Sequence, residues 1–174
     1  MIVEPEPDVL EILVASLSRR FNAYITCAKD AETCLQAILT EPHDLIITEL
    51  ELDGLSGLQL AEQLSSLGTR PMILLGDHVT CSDAVAAMRL GVRDIFRKPF
   101  AVAELLDAAE QMIRQDLETR RRAARYHRLR DLVRQVVRER RDLDRRVELV
   151  CKDLVDAHRR LARRVAEVKA SHAN

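Results

Sequence analysis

Tryptophan is absent from this chain, and aromatic residues make up only 3% of it. That scarcity argues against the stacked aromatic platforms that hold single-stranded nucleic acid. No run of eighteen apolar residues occurs, and Met1-Ile2-Val3-Glu4-Pro5 lacks the basic-then-apolar pattern of an export signal. The expectation is a soluble, unexported, cytoplasmic protein with no membrane partner. The four cysteines, Cys27, Cys34, Cys81 and Cys151, show neither CxxC spacing nor a paired metal-ligand pattern. They read as buried or incidental thiols in a reducing compartment. Glycine and proline are both missing after Phe100, so nothing in the last part of the chain obliges a helix to stop.

What is present divides in two. The net charge of −1 over 174 residues conceals a contrast between halves. From Asp116 to Asn174 there are 18 Lys/Arg against 10 Asp/Glu, and residues 1–115 hold 9 against 18. Opposite signs in two segments point to two different jobs.

Residues 1–115 alternate between strand and helix patterns. Strands are expected at Ile2-Val3, Ala23–Cys27, Leu45–Thr48, Met72–Leu75 and Asp94–Phe96. Between them lie amphipathic helices: Pro7 to about Arg20, one capped by Asp30 and closed before Pro42, about Leu58 to Leu67, and Cys81–Leu90 ending at Gly91. A fifth helix starts near Val102. Strands separated by single helices imply an α/β fold, a five-stranded parallel doubly wound sheet of flavodoxin-like type.

The fifth helix is expected to continue through a basic connector, residues 116–128, into a coiled coil over 129–170. Leu129, Val133, Val136, Leu143, Val147, Val150, Leu154, Leu161 and Val168 fall at alternating spacings of three and four, together with Arg140, Ala157 and Arg164. Such a seam predicts oligomerisation, with a homodimer through the C-terminal helix as the expected partner state. It would run roughly 60 Å. A parallel dimer is the expected arrangement, although Glu139 would then face Asp144 of a partner. Leu132, Val137 and Val165 widen the stripe, so a larger bundle stays open.

Chemistry-bearing residues gather at the strand ends: Glu4 after the first strand, Glu49 after the third, Gly76 after the fourth and Lys98 after the fifth. Open α/β sheets place their sites there. The segments Val3–Pro7, Asp44–Gly57, Pro71–Leu75 and Gly91–Phe100, taken together, resemble the receiver domain of bacterial response regulators over residues 1 to about 115. The resemblance implies an acidic pair holding Mg²⁺, an aspartate phosphorylated by a histidine kinase, a hydroxyl residue and an aromatic that relay the change, and a phosphate-contacting lysine. Position by position, Glu4 matches the first acid and Pro5 replaces the second. Glu49 replaces the phosphoacceptor, Gly76 the hydroxyl residue and Ile95 the aromatic switch. Asp53 stands where the family often has Pro, and Lys98 alone is unaltered.

These departures have physical consequences. Mg²⁺ needs near-octahedral oxygen ligation, and with Pro5 offering no side chain it would rest on Glu4, Glu49 and the Glu51 carbonyl. No cofactor or metal is therefore expected. Glutamate carries its carboxylate about an ångström further out than aspartate, a misplacement that costs on the order of 10²-fold in rate. Four losses together should disable both phosphoryl chemistry and its readout. The expected function is a non-catalytic signalling module of two-component type, acting through oligomerisation and a signalling protein partner. Two alternatives stay open: an antiterminator-like nucleic-acid binder using Arg120–Arg130, and a receiver that accepts phosphate at Glu49. A standing Glu49–Lys98 ion pair is a further expectation. The five histidines show no ligand spacing and read as solvated.

Overall fold

The computed structural model describes residues 1–68 and 70–171, the last seven of these by backbone alone. The chain forms two compact units, Met1–Arg120 and Arg121–Asn174, each taken by itself below.

The first unit runs β1 (Ile2–Val3), α1 (Pro7–Arg20), β2 (Cys27–Ala28), α2 (Ala31–Thr40), β3 (Ile46–Glu49), α3 (Gly57–Leu67), β4 (Met72–Gly76), α4 (Cys81–Arg89), β5 (Asp94–Arg97) and the start of α5 (Val102–Ser171). The sheet is parallel in the order β2-β1-β3-β4-β5. That is the flavodoxin-like order, with its topological switch beside β1 and β3.

Strand periodicity builds the two faces. Along β4, Met72 and Leu74 point into one core with Ile46, Leu60, Leu64 and Ala87, while Ile73 and Leu75 point into the other with Leu13, Ile47, Leu105 and Ala109. Alternate residues of a strand face opposite sides, so α2, α3 and α4 cover one face and α1 and α5 the other. Asp30 accepts from the Thr33 N–H at 2.7 Å to cap α2, and Ser56 and Thr80 open α3 and α4 with capping boxes. Gly91 ends the α4 connection at φ 82°, where a side chain would be strained.

The second strand is shorter and later than its residues suggest. Ala23–Cys27 was the expected span, yet only Cys27–Ala28 pairs, and Tyr24 is 81% exposed. The cause is the two-residue partner: β1 offers little ladder, and Phe21 and Ile25 instead pack against the α1–α5 layer.

The second unit is helical. Leu129, Val133, Val136, Leu143, Val147, Val150, Leu154 and Leu161 are all more than half exposed. The side chains of Val165 and Val168 lie outside the described residues.

Candidate functional site

The sheet register decides which side chains meet. Val3 pairs with Thr48, so Glu4 and Glu49 leave adjacent strands at the same level. Gly76 pairs with Arg97, and the Lys98 N–H donates to the Gly76 carbonyl at 2.9 Å. This bond returns the chain over the sheet end and carries the Lys98 side chain to the two acids.

The three charges form one cluster. Lys98 Nζ donates to Glu4 Oε2 at 3.1 Å and lies 2.6 Å from Glu49 Oε2, with Glu6 Oε1 at 4.0 Å on the rim. Glu4 is fully buried and Glu49 is 4% exposed. Glu4 Oε1 accepts the Glu6 N–H at 3.1 Å, and Glu49 Oε1 accepts those of Leu50 at 2.8 Å and Glu51 at 3.3 Å. The ammonium approaches Glu49 Oε2 off the hydrogen-bonding direction, so this contact is held by charge. Buried charges persist only when paired in this way.

The pairing leaves its mark on proton affinity. Burial works to lower the Lys98 pKa, but the Glu49 and Glu4 carboxylates outweigh it and the net shift is upward. For Glu4 burial dominates and raises the pKa, against the lowering effect of the Glu6 N–H and of Lys98. One cation between two buried anions leaves a surplus negative charge, and the Glu49 carboxylate adds a smaller upward push on Glu4 to that of burial.

Beside Gly76 the space is filled by apolar atoms. A Cβ on Gly76 would stand 3.2 Å from Leu50 Cβ and 3.3 Å from Val79 Cγ2. Leu50, itself buried, thus occupies the space beside Gly76. A Cβ on Gly57 would collide with the Glu49 carbonyl oxygen, and the Gly57 N–H donates to Leu50 at 2.9 Å. The loop after β3 therefore closes directly on the Glu49–Leu50 backbone. Ile95 pairs with Leu74 and packs half-buried on the α2–α4 core. Pro5 is half-buried and Asp53 exposed.

Residues 1–110 match the family described as the response regulator receiver domain. The chain belongs to that family. Its receiver is similar to the response regulator ArlR of Staphylococcus epidermidis, 29% identical over 114 residues that cover 66% of this chain and 52% of that protein. It is also similar to the transcriptional regulatory protein KdpE of Mycobacterium tuberculosis, 30% identical over 67% of this chain and 51% of that one. The chain spans about half the length of the curated relatives it matches. Among solved structures, NtrX from Brucella abortus aligns at 27% identity and TM-score 0.63, covering 69% of this chain and 27% of that chain. A signal receiver domain from Pseudomonas fluorescens shares the fold at TM-score 0.64 and 24% identity, over 67% and 94% of the two chains.

The receiver thus brings together Glu4, Glu49, Gly76 and Lys98, and leaves Ile95 on the neighbouring strand face. Two partners of the site escaped the sequence: Leu50 as the filler beside Gly76, and the N–H groups of Leu50 and Glu51 that fix Glu49. The signal was the apolar residue directly after Glu49. His43 also departs from expectation, being buried with Nε2 3.0 Å from Thr26 Oγ1. Burial holds its pKa below the ordinary value. His78, His127 and His158 are exposed, and His172 lies outside the described residues. Arg120 is paired to Asp116 at 2.6 Å and Asp44 at 3.3 Å. Arg121, Arg122, Arg125, Arg128 and Arg130 are exposed. The cysteines are free, with Cys34 buried and the other three exposed. Among the described residues no helix is long and apolar enough to cross a membrane.

Proposed function

We propose that this receiver signals without phosphorylation and without a bound metal, through self-association of its C-terminal helix and docking of a partner protein. The observation that carries the reading is Lys98, whose ammonium already lies 3.1 Å from Glu4 and 2.6 Å from Glu49. A lysine so engaged has no free charge for an incoming phosphoryl group.

The remaining geometry supports the same reading. Glu49 Oε1 accepts two backbone N–H groups, and Oε2 is buried against the ammonium, away from an incoming phosphodonor. Mg²⁺ takes one or two carboxylates with several waters in octahedral array. Here Lys98 sits between the two acids where such a dication would be held, and Pro5 adds no ligand. With a cation already between the two acids and no ligand at the Pro5 position, these residues do not fit Mg²⁺. At Gly76 the hydroxyl is missing and Leu50 takes its room.

Intact-mass spectrometry after incubation with acetyl phosphate and Mg²⁺ tests the reading. The expected result is unmodified protein whose oligomeric mass is unchanged by the phosphodonor. A phosphoryl adduct mapped to Glu49 overturns it.

A further inference from the structure

We propose that residues 129–164 pair with a second copy of this chain in antiparallel orientation, centred between Val147 and Val150. The inference rests on the reading of this helix as a self-association seam and fixes the strand direction which that reading leaves open.

The exposed stripe needs cover. Val133, Val136, Leu143, Val147, Val150, Leu154 and Leu161 are 54–65% exposed at seam positions, an apolar surface of the kind that marks an association face. Arg140 and Arg164 interrupt it, and their placement discriminates between orientations. In a parallel pair each seam residue meets its own copy. Arg140 would then face the partner's Arg140, and Arg164 the partner's Arg164, inside a low-dielectric seam where like charges repel strongly. In the antiparallel pair the layers become Val133 with the partner's Arg164, Val136 with the partner's Leu161 and Arg140 with the partner's Ala157. Leu143 then meets the partner's Leu154, and Val147 the partner's Val150. Each arginine meets a short or medium apolar side chain, along which its stem can lie while the guanidinium reaches water.

The flanking charges make the same choice. A parallel pair sets Glu139 against the partner's Asp144, which is repulsive. The antiparallel pair sets Glu139 against the partner's Arg160 and Arg146 against the partner's Asp153, both attractive and each occurring twice. All four side chains are on exposed positions. Among the described residues Glu139 holds only the Gln135 amide, at 2.9 Å, and Arg146 and Asp153 make no ion pair. Slipping the antiparallel register by one heptad in one direction places Arg146 against its own copy and Glu139 against the partner's Asp153. Slipping it the other way puts Arg140 against the partner's Arg164. One register therefore satisfies both the seam and its flanks.

The full-length chain supplies the test. In protein with Cys27, Cys81 and Cys151 replaced by Ser and Cys34 by Ala, Val133→Cys and Arg164→Cys are introduced on separate chains. A parallel dimer brings Val133→Cys within disulfide reach of itself, a Cα separation of about 4.4–6.8 Å. The antiparallel dimer separates those two positions by about 46 Å along the axis. Under mild oxidation the mixture should give a linked heterodimer, and Val133→Cys alone should give none. A charge reversal gives an independent sign. Glu139→Arg should weaken the dimer about tenfold by sedimentation, and Glu139→Arg with Arg160→Glu should restore it. Self-linking of Val133→Cys, absence of the mixed link, or tightening by Glu139→Arg overturns the orientation while self-association stands. Protein that sediments as a monomer at all concentrations overturns both.

Discussion

Lys98 lies between the buried carboxylates of Glu4 and Glu49 and offsets one of their two charges. Removing the cation while keeping the volume exposes what the pairing contributes. Lys98→Met should cost about 3–5 kcal/mol at neutral pH, because a buried charge loses its partner. Urea titrations of the variant should show the deficit shrinking toward acidic pH, where the abandoned carboxylates protonate. Equal deficits at both pH values would show that the acids had found water instead. Glu4 makes a separate contribution. Its folded pKa lies above the ordinary carboxylate value, so the folded state keeps a proton that the unfolded chain releases. The stability it adds is present below about pH 4.5 and is lost as pH rises through the folded pKa. Glu4→Gln should flatten that part of the stability profile. His43 has the opposite sign: its folded pKa is depressed, so its share is present above about pH 6.5 and lost as pH falls through the folded value.

Elements were legible where the cause is local and obscure where it is tertiary. Asp30, Ser56 and Thr80 cap helices through their own neighbours three residues on, so α2, α3 and α4 could be placed from the residues alone. The continuous apolar runs at β3 and β4 are buried on both faces, as parallel strands must be. The position of β2 was not readable, because it is set by how few residues β1 offers for pairing. Glu4, Glu49 and Lys98 could be named from their strand ends, yet the filling of the Gly76 space by Leu50 depends on a side chain's direction. The loop after β3 yields a prediction at this scale. Gly57→Ala drives a Cβ into the Glu49 carbonyl, and overpacking of this kind costs about 1–3 kcal/mol. Gly54, at φ 81°, has open space around the same added atom, so Gly54→Ala bears only backbone strain of about 1–2 kcal/mol. Differential scanning calorimetry should place the melting temperature of the Gly57 variant below that of the Gly54 variant. The reverse order would mean that the loop yields at Glu49 without loss.

At the scale of the whole molecule, residues 1–120 carry their own two-sided core, whereas residues 121–164 expose their apolar stripe. A unit with a closed core unfolds at a midpoint independent of protein concentration. A unit stabilised by association has a midpoint that rises with concentration by mass action. The chain should therefore melt in two separable steps, and a single melting temperature would not describe it. Far-ultraviolet circular dichroism should show early loss of helix signal at low concentration, moving upward as concentration increases. The phenylalanine bands of the near-ultraviolet signal should report the other step, since Phe21, Phe96 and Phe100 lie in the first unit's core layer. Leu143→Lys with Leu154→Lys places four charges in the two layers that flank the central Val147–Val150 layers of the proposed antiparallel seam. The variant should sediment as a monomer and lose the concentration-dependent step, with the receiver transition retained at its original midpoint. If the receiver transition fell with it, association would be stabilising the Lys98 cluster as well. The two units would then be energetically coupled despite their separate cores.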